Sequence, residues 1–244
     1  EPLAAVITLQ QLKRPLREEA EQYLSEEKGV TSVEDAISGA KDIIAEAISD
    51  EADYRSWIRK ITMKKGKLIS TAKDPEAESV YEMYYEFEEP LSKLAGHRIL
   101  ALNRGEKEKI LTVKIEAPEE EILGYLEKQT IHGKNISTEQ ALKEAVEDSY
   151  KRLIGPAIER EIRSDLTEKA EDGAIEVFGK NLHQLLMQPP ITGQVVLGWD
   201  PAFRTGCKLA VVDPTGKVLG TTVIYPTAPT TPAKIKASKD LLKK

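Results

Sequence analysis

Val195-Val-Leu-Gly-Trp-Asp200-Pro-Ala-Phe-Arg204-Thr-Gly-Cys-Lys208-Leu-Ala-Val-Val-Asp213 holds two apolar runs separated by a short basic loop, and the first run ends on a carboxylate. Its periodicity predicts strand, turn, strand, with one acid held at a strand end. Asp213-Pro-Thr-Gly216 then sets Asp, Pro and Gly at the first, second and fourth places of a type I turn. Val218–Tyr225 is the expected third strand and closes an antiparallel meander. Residues 226–232 read as a Pro/Thr linker into a last helical pattern from Ala233.

Upstream the apolar spacing is helical. Residues 3–13 and 17–27 are short helix candidates separated at Pro15, and 33–49 and 51–64 are two longer ones. Ser32-Val-Glu-Asp35 supplies a hydroxyl cap with acids in the first turn, and Lys64-Lys65-Gly66 supplies a C-terminal stop. Short strands are expected near 67–71 and 109–115, the second following a helix from His97 and a turn at Gly105. Tyr81, Tyr84, Tyr85 and Phe87 read as core, because the surrounding acids would repel phosphate. Pro118-Glu-Glu-Glu121 starts another helix, with its acids facing the positive end of the dipole. Ser137-Thr-Glu-Gln140 has capping-box spacing before a long helical region, which Gly155-Pro156 should break or kink and Pro189-Pro190 should end. The fold class expected is mainly α with a small β component.

Composition narrows the function. A length of 244 residues allows one large or two small domains, and 40% apolar with 31% charged residues is too apolar for disorder. A net charge of −6 excludes a global basic field, so contact with nucleic acid must be local or lie elsewhere in a longer protein. The one cysteine, Cys207, excludes an internal disulfide and suits a reducing compartment. With neither a membrane-length apolar run nor a signal segment, the chain is expected to be soluble and cytoplasmic, without a membrane partner. The absence of an initiator Met, and a last helical pattern that stops soon after it starts, read as a piece of a longer polypeptide.

Three motifs carry a resemblance: His97-Arg-x-Leu-Ala-Leu-x-Arg104-Gly-Glu-x-Glu108, Asn181-Leu-x-Gln-Leu-Leu186 running into Pro189-Pro190, and Val196-Leu-Gly-x-Asp200-Pro-x-Phe-Arg204-Thr-Gly-Cys-Lys208. Together they resemble the Tex family of bacterial, RNA-binding transcription accessory proteins. The resemblance implies a helical region over 1–190 with helix-turn-helix-like units, then the start of a YqgF-like domain of the RNase H fold over 194–244. It implies RNA as the partner, bound mainly through later domains absent from this chain, with the transcription machinery as a further partner. Two positions depart from the family pattern: Ala202 stands where glycine is usual, and Trp199 where a smaller aliphatic is usual.

Asp200 is the candidate catalytic acid, since RNase H-like nucleases place an acid at the end of the first strand. Metal-dependent cleavage needs further clustered carboxylates, and Asp213 is expected at the opposite end of the sheet. The chain is therefore read as a non-enzyme, with no metal and no cofactor expected. A nuclease or resolvase using Asp200 in a full-length protein, and a helical protein-interaction scaffold, stay open as alternatives. Arg204 and Lys208 are the candidate nucleic-acid contacts, read equally as a solvated hairpin loop. The scattered His97, His132 and His183 lack ligand spacing, and Cys207 reads as core. The helices at 33–49 and 51–64, with Arg55, Arg59, Lys60, Lys64 and Lys65, read as a helix-turn-helix-like unit or as a charged outer face, without base-specific reading. A sheet that stops after three strands is expected to leave 195–200 as an apolar edge, with self-association there or mobility after about 190.

Overall fold

The computed structural model describes residues 1–133, 135–189 and 191–243. They form two compact units, Glu1–Gly179 and Lys180–Lys244. The chain is mainly helical with two three-stranded antiparallel sheets, one in each unit.

The first unit opens with α1 (Pro2–Leu9) and α2 (Leu16–Ala20). Both are shorter than their apolar spacing predicts, for local reasons. Gln10 takes a left-handed conformation with φ 53° and ends α1. Its side chain donates to Thr130 O at 2.8 Å and accepts from the His132 and Gly133 N–H groups at 3.0 and 3.2 Å, bonds a helical Gln10 would forgo. Beyond Ala20 a single 3-10 turn to Tyr23 leads into a tight loop closed by the Ser25–Val30 bridge, with Gly29 at φ 72°.

In α3 (Val33–Asp50) the Ser32 cap holds as read, and Asp35 completes the box. The Asp35 N–H donates to Ser32 Oγ at 3.1 Å, and Ser32 N–H returns a bond to Asp35 Oδ2 at 3.2 Å. Bonds from Ser32 and then Thr31 hold the Asp35 carboxyl below its ordinary range. Ala36, Ala40, Ile44 and Ile48 are buried on one face, and α7 (Ile136–Asp148) meets α3 with its own buried Ala141, Leu142, Ala145 and Val146. Small residues let the two backbones approach closely. α7 is capped by Asn135, whose side chain accepts from Ser137 N–H at 3.1 Å. The box expected at Ser137 is therefore displaced: Ser137 already lies in the first turn.

α4 (Ala52–Lys65) follows after Glu51 and stops at Gly66, where a Cβ would sit 2.5 Å from Thr62 O. β1 (Lys67–Ala72) is the central strand, flanked by β2 (Glu86–Pro90) and β3 (Leu111–Glu116). β2 is the element that periodicity does not announce. Its sequence, Glu-Phe-Glu-Glu-Pro, alternates without an apolar face, and Lys67–Glu88 at 2.6 Å and Arg98–Glu89 at 2.7 Å tie its acids down. Tyr81 and Tyr84 are core as expected, with Tyr84 edge-on to Phe87 at 5.4 Å.

The His97–Glu108 motif forms α5 (Gly96–Lys107) and the turn after it. Gly105 is not the turn expected there. It is inside the helix, where a Cβ would lie 2.6 Å from Leu111 Cδ1 and 3.2 Å from the Tyr81 ring. Glu106 and Asn103 both hold Arg163 of α8 (Gly155–Leu186), whose guanidinium also donates to Val113 O at 3.3 Å. Asn103 further donates to Thr167 Oγ1 at 2.8 Å. The motif is thus a clasp joining α5, β3 and α8. It holds the Glu106 carboxyl below the ordinary range through the Arg163 bonds. α6 (Glu119–Thr130) completes the core with fully buried Ile122 and Leu126.

Gly155-Pro156 does not break the helical run. Ser149–Ile154 widens into a π-helical segment, and α8 starts directly after it. A wider turn relieves the clash that Pro156 would make with the preceding α-helical turn. α8 ends at Leu186, and Pro190 of the expected stop lies outside the described residues.

The second unit is β4 (Val196–Asp200), β5 (Cys207–Val212), β6 (Val218–Ile224) and α9 (Pro232–Leu242). The sheet order β4-β5-β6 is the expected meander, with β4 at its edge. Its buried cluster is Cys207, Leu209 and Ile224. α9 is capped by Thr231 and joined to β6 by Tyr225 N–H donating to Ser238 Oγ at 2.7 Å.

Candidate nucleic-acid interface

Asp200 ends β4 and stands opposite Lys208, the second residue of β5; both are exposed. The loop between them carries Phe203, which is 76% exposed, and exposed Arg204. Two glycine questions are settled by this loop. Ala202 does not have a positive φ, so the backbone tolerates its methyl. Gly206 does, at φ 81°, and a Cβ there would lie 2.7 Å from the Tyr225 ring.

Tyr225 is the residue that orders this corner. Its hydroxyl donates to Thr205 O at 3.2 Å, its ring packs on Gly206, and Lys234 of α9 lies 5.0 Å over the ring. The loop is therefore buttressed from the end of β6 and from α9. Lys234 and Phe203 join Arg204 and Lys208 as candidate contacts. Periodicity could not find them, because Lys234 reaches the corner only once α9 folds back on β6. An open depression of about 820 Å³ adjoins the same sheet, lined by Trp199, Asp200, Lys208, Ala210, Thr221 and Val223.

Asp213 lies just beyond the far end of β5, in the turn. Its carboxylate accepts from Thr215 Oγ1 at 2.7 Å, Thr215 N at 2.8 Å and Lys217 N at 3.0 Å. Those bonds, the Thr215 hydroxyl foremost, hold it below the ordinary range. It is a turn organiser. Among the described residues no three His, Cys, Asp or Glu side chains gather to hold a metal ion. Cys207 is buried as core.

In the first unit Arg55, Arg59 and Lys65, three of the five basic residues of α4, are partnered. Arg55 and Arg59 pair with Glu161 and Asp165 of α8, and Lys65 pairs with Glu121 at 2.6 Å. These pairs offset the charge a phosphate backbone would need. Among the described residues no helix is long and apolar enough to cross a membrane.

Comparison with known proteins agrees with this architecture. Residues 12–178 match the family described as Tex central region-like, and residues 194–244 match the Tex protein YqgF-like domain. The chain is 56% identical to YdcI of Bacillus subtilis (strain 168) over 247 residues, covering all of this chain and 34% of that protein. It is 34% identical to Protein tex of Bordetella pertussis (strain Tohama I), over 86% of this chain and 28% of that protein. The human S1 RNA-binding domain-containing protein 1 is 32% identical over 81% of this chain and 21% of its own length. The chain thus spans about a third or less of these relatives. With both family regions matched in order along its length, the chain belongs to the Tex family.

Proposed function

We propose that these residues are the helical scaffold and the opening of the RNase H-like domain of an RNA-binding transcription accessory protein, and that they act by holding and positioning, without cleaving nucleic acid. Family membership carries the reading, joined to the names of the relatives: a Transcriptional accessory protein Tex in Neisseria gonorrhoeae and an S1 RNA-binding domain-containing protein in Homo sapiens. Most of the RNA affinity is assigned to parts of the longer family proteins outside these 244 residues. Here Arg204 and Lys208, joined by Phe203 and Lys234, add phosphate and stacking contacts from the corner buttressed by Tyr225. The sheet register supports the non-catalytic reading, because a lysine faces Asp200 and Asp213 lies at the other end of β5.

RNA binding by the full-length protein and by residues 1–244, measured across a salt series, tests the division. The full-length protein should bind far more tightly, and Arg204→Ala with Lys208→Ala should weaken it uniformly across sequences, lowering the salt slope by about one per contact. Equal, salt-sensitive binding by residues 1–244 would overturn the assignment. A metal-dependent cleavage assay with Asp200→Asn addresses the nuclease alternative: cleavage abolished by the substitution would replace the non-catalytic reading.

A further inference from the structure

Between α4, the end of β3 and the π-helical segment lies a cleft of about 300 Å³, near the lower end of small-ligand sites. It belongs wholly to the first unit and is independent of the RNA reading above. Its apolar wall is Ile58, Ile115 and Ile158. Thr62, 2% exposed, lines it, and its buried hydroxyl has no hydrogen-bond partner among the described residues. Buried hydroxyls are ordinarily satisfied, so this one marks a missing partner. Tyr150, 7% exposed, lines it from the π-helical segment, a distortion that recurs at functional sites.

The charge around the cleft has one dominant sign. Glu116, Glu119 and Glu159 line it against a single ammonium, Lys151. Lys151 is engaged twice, by Glu147 at 2.7 Å and Glu119 at 3.4 Å. Glu159 uses Oε1 to accept from Ile115 N–H at 2.9 Å. Burial first, then Glu119 and Glu159, push the Tyr150 phenol above its ordinary value, as carboxylates facing that ring would. These acids are not gathered closely enough to hold a metal ion. The preferred guest is an organic cation.

We propose that this cleft binds a primary ammonium on a short alkyl chain, its methylenes against the three isoleucines and its three N–H donors shared among Thr62 Oγ1, Tyr150 Oη and the Glu159 carboxylate. An ammonium has three donors and no acceptor, which matches a hydroxyl, a phenol oxygen and a carboxylate. The group could come from a free diamine or from a lysine side chain, and the shared chemistry is the alkylammonium.

Calorimetric titration of the full-length protein with 1,4-diaminobutane, with Nα-acetyl-lysine methylamide and with 1-butanol as the uncharged control is the test. Saturable binding of one or both amines and none of the alcohol is expected. Diamine binding alone assigns a free amine, and binding of the blocked lysine assigns a side-chain source. Thr62→Val and Tyr150→Phe should each weaken the amine about tenfold, as loss of one hydrogen bond to a charged group implies. Thr62→Val removes an unpartnered hydroxyl without changing shape, so an unchanged or raised melting temperature shows that the weakening is local. No saturable amine binding, equal binding of the alcohol, or amine binding untouched by both substitutions would overturn the proposal.

Discussion

The two units keep their shape by different means. The first has a continuous core drawn from nearly every helix, with Ile7, Ile58, Leu102, Leu111, Ile122, Leu142 and Ile162 at 1% exposure or less. Ion pairs between separate elements brace its surface: Lys41–Glu144, Arg55–Glu161 and Arg163–Glu106. The second has a buried cluster of only Cys207, Leu209 and Ile224 among its described residues, while Val195, Leu197, Trp199 and Val218 are each at least 45% exposed. Large cores tolerate local damage; a small one depends on each contact. Its order comes from turn geometry, at Gly206 with Tyr225 and at Asp213, more than from burial.

One tryptophan in each unit, Trp57 and Trp199, lets the contrast be broken unit by unit in single-tryptophan variants. Leu111→Ala should have the largest effect. Leu111 is fully buried, so the cavity should cost about 3 kcal/mol, read from Trp57 in a denaturant melt. A Trp199 signal that shifts equally would mean the two units unfold as one. Gly206→Ala should cost about 2 kcal/mol, from the positive φ and the overlap with Tyr225, and should appear in Trp199 fluorescence. Were it silent, loop geometry would not be what orders the small unit.

Glu106→Gln weakens the clasp on Arg163. Both groups are partly exposed, so the expected loss is about 1 kcal/mol at neutral pH. Because folding depresses the Glu106 carboxyl, its contribution is fully present above the ordinary glutamate value of about 4.3 and is lost as pH falls through the lower folded value. The substituted protein should therefore show a shallower acid limb in Trp57 melts between about pH 5 and 3. An unchanged limb would place the acid sensitivity elsewhere, such as Asp148, which Arg152 also holds below its ordinary range. Asp213→Ala should have the smallest effect, a small downward shift in the Trp199 midpoint from the lost turn bonds.

What could be read from the sequence follows from which interactions are local. The Ser32 cap, the Gly66 stop and the Asp213-Pro-Thr-Gly turn are decided within four or five residues and are legible. β2 was not, because its acids are neutralised by Lys67 and Arg98, partners that only the folded sheet supplies. α1 ends early because of Gln10, whose partners are some 120 residues away at Thr130 and His132. The same holds for the candidate interface. Asp200, Arg204 and Lys208 are visible as a motif, but Lys234 reaches Tyr225, which buttresses their loop, only through the fold.

The π-helical segment at Ser149–Ile154 also fixes a phase. An α-helix advances about 100° per residue, so a turn that takes up one extra residue lets two stripes of different phase share one continuous rod. Val146 before the segment and Ile158 and Ile162 after it all reach the same core on that account. Deleting one residue between 150 and 153 would let the run close into plain α-helix with Ile158 and Ile162 still facing that core, whereas the same deletion in a plain α-helical stretch would turn them about 100° away. In the language of insertions and deletions, the widened turn is a place where this chain carries a length change without losing its reading frame of burial.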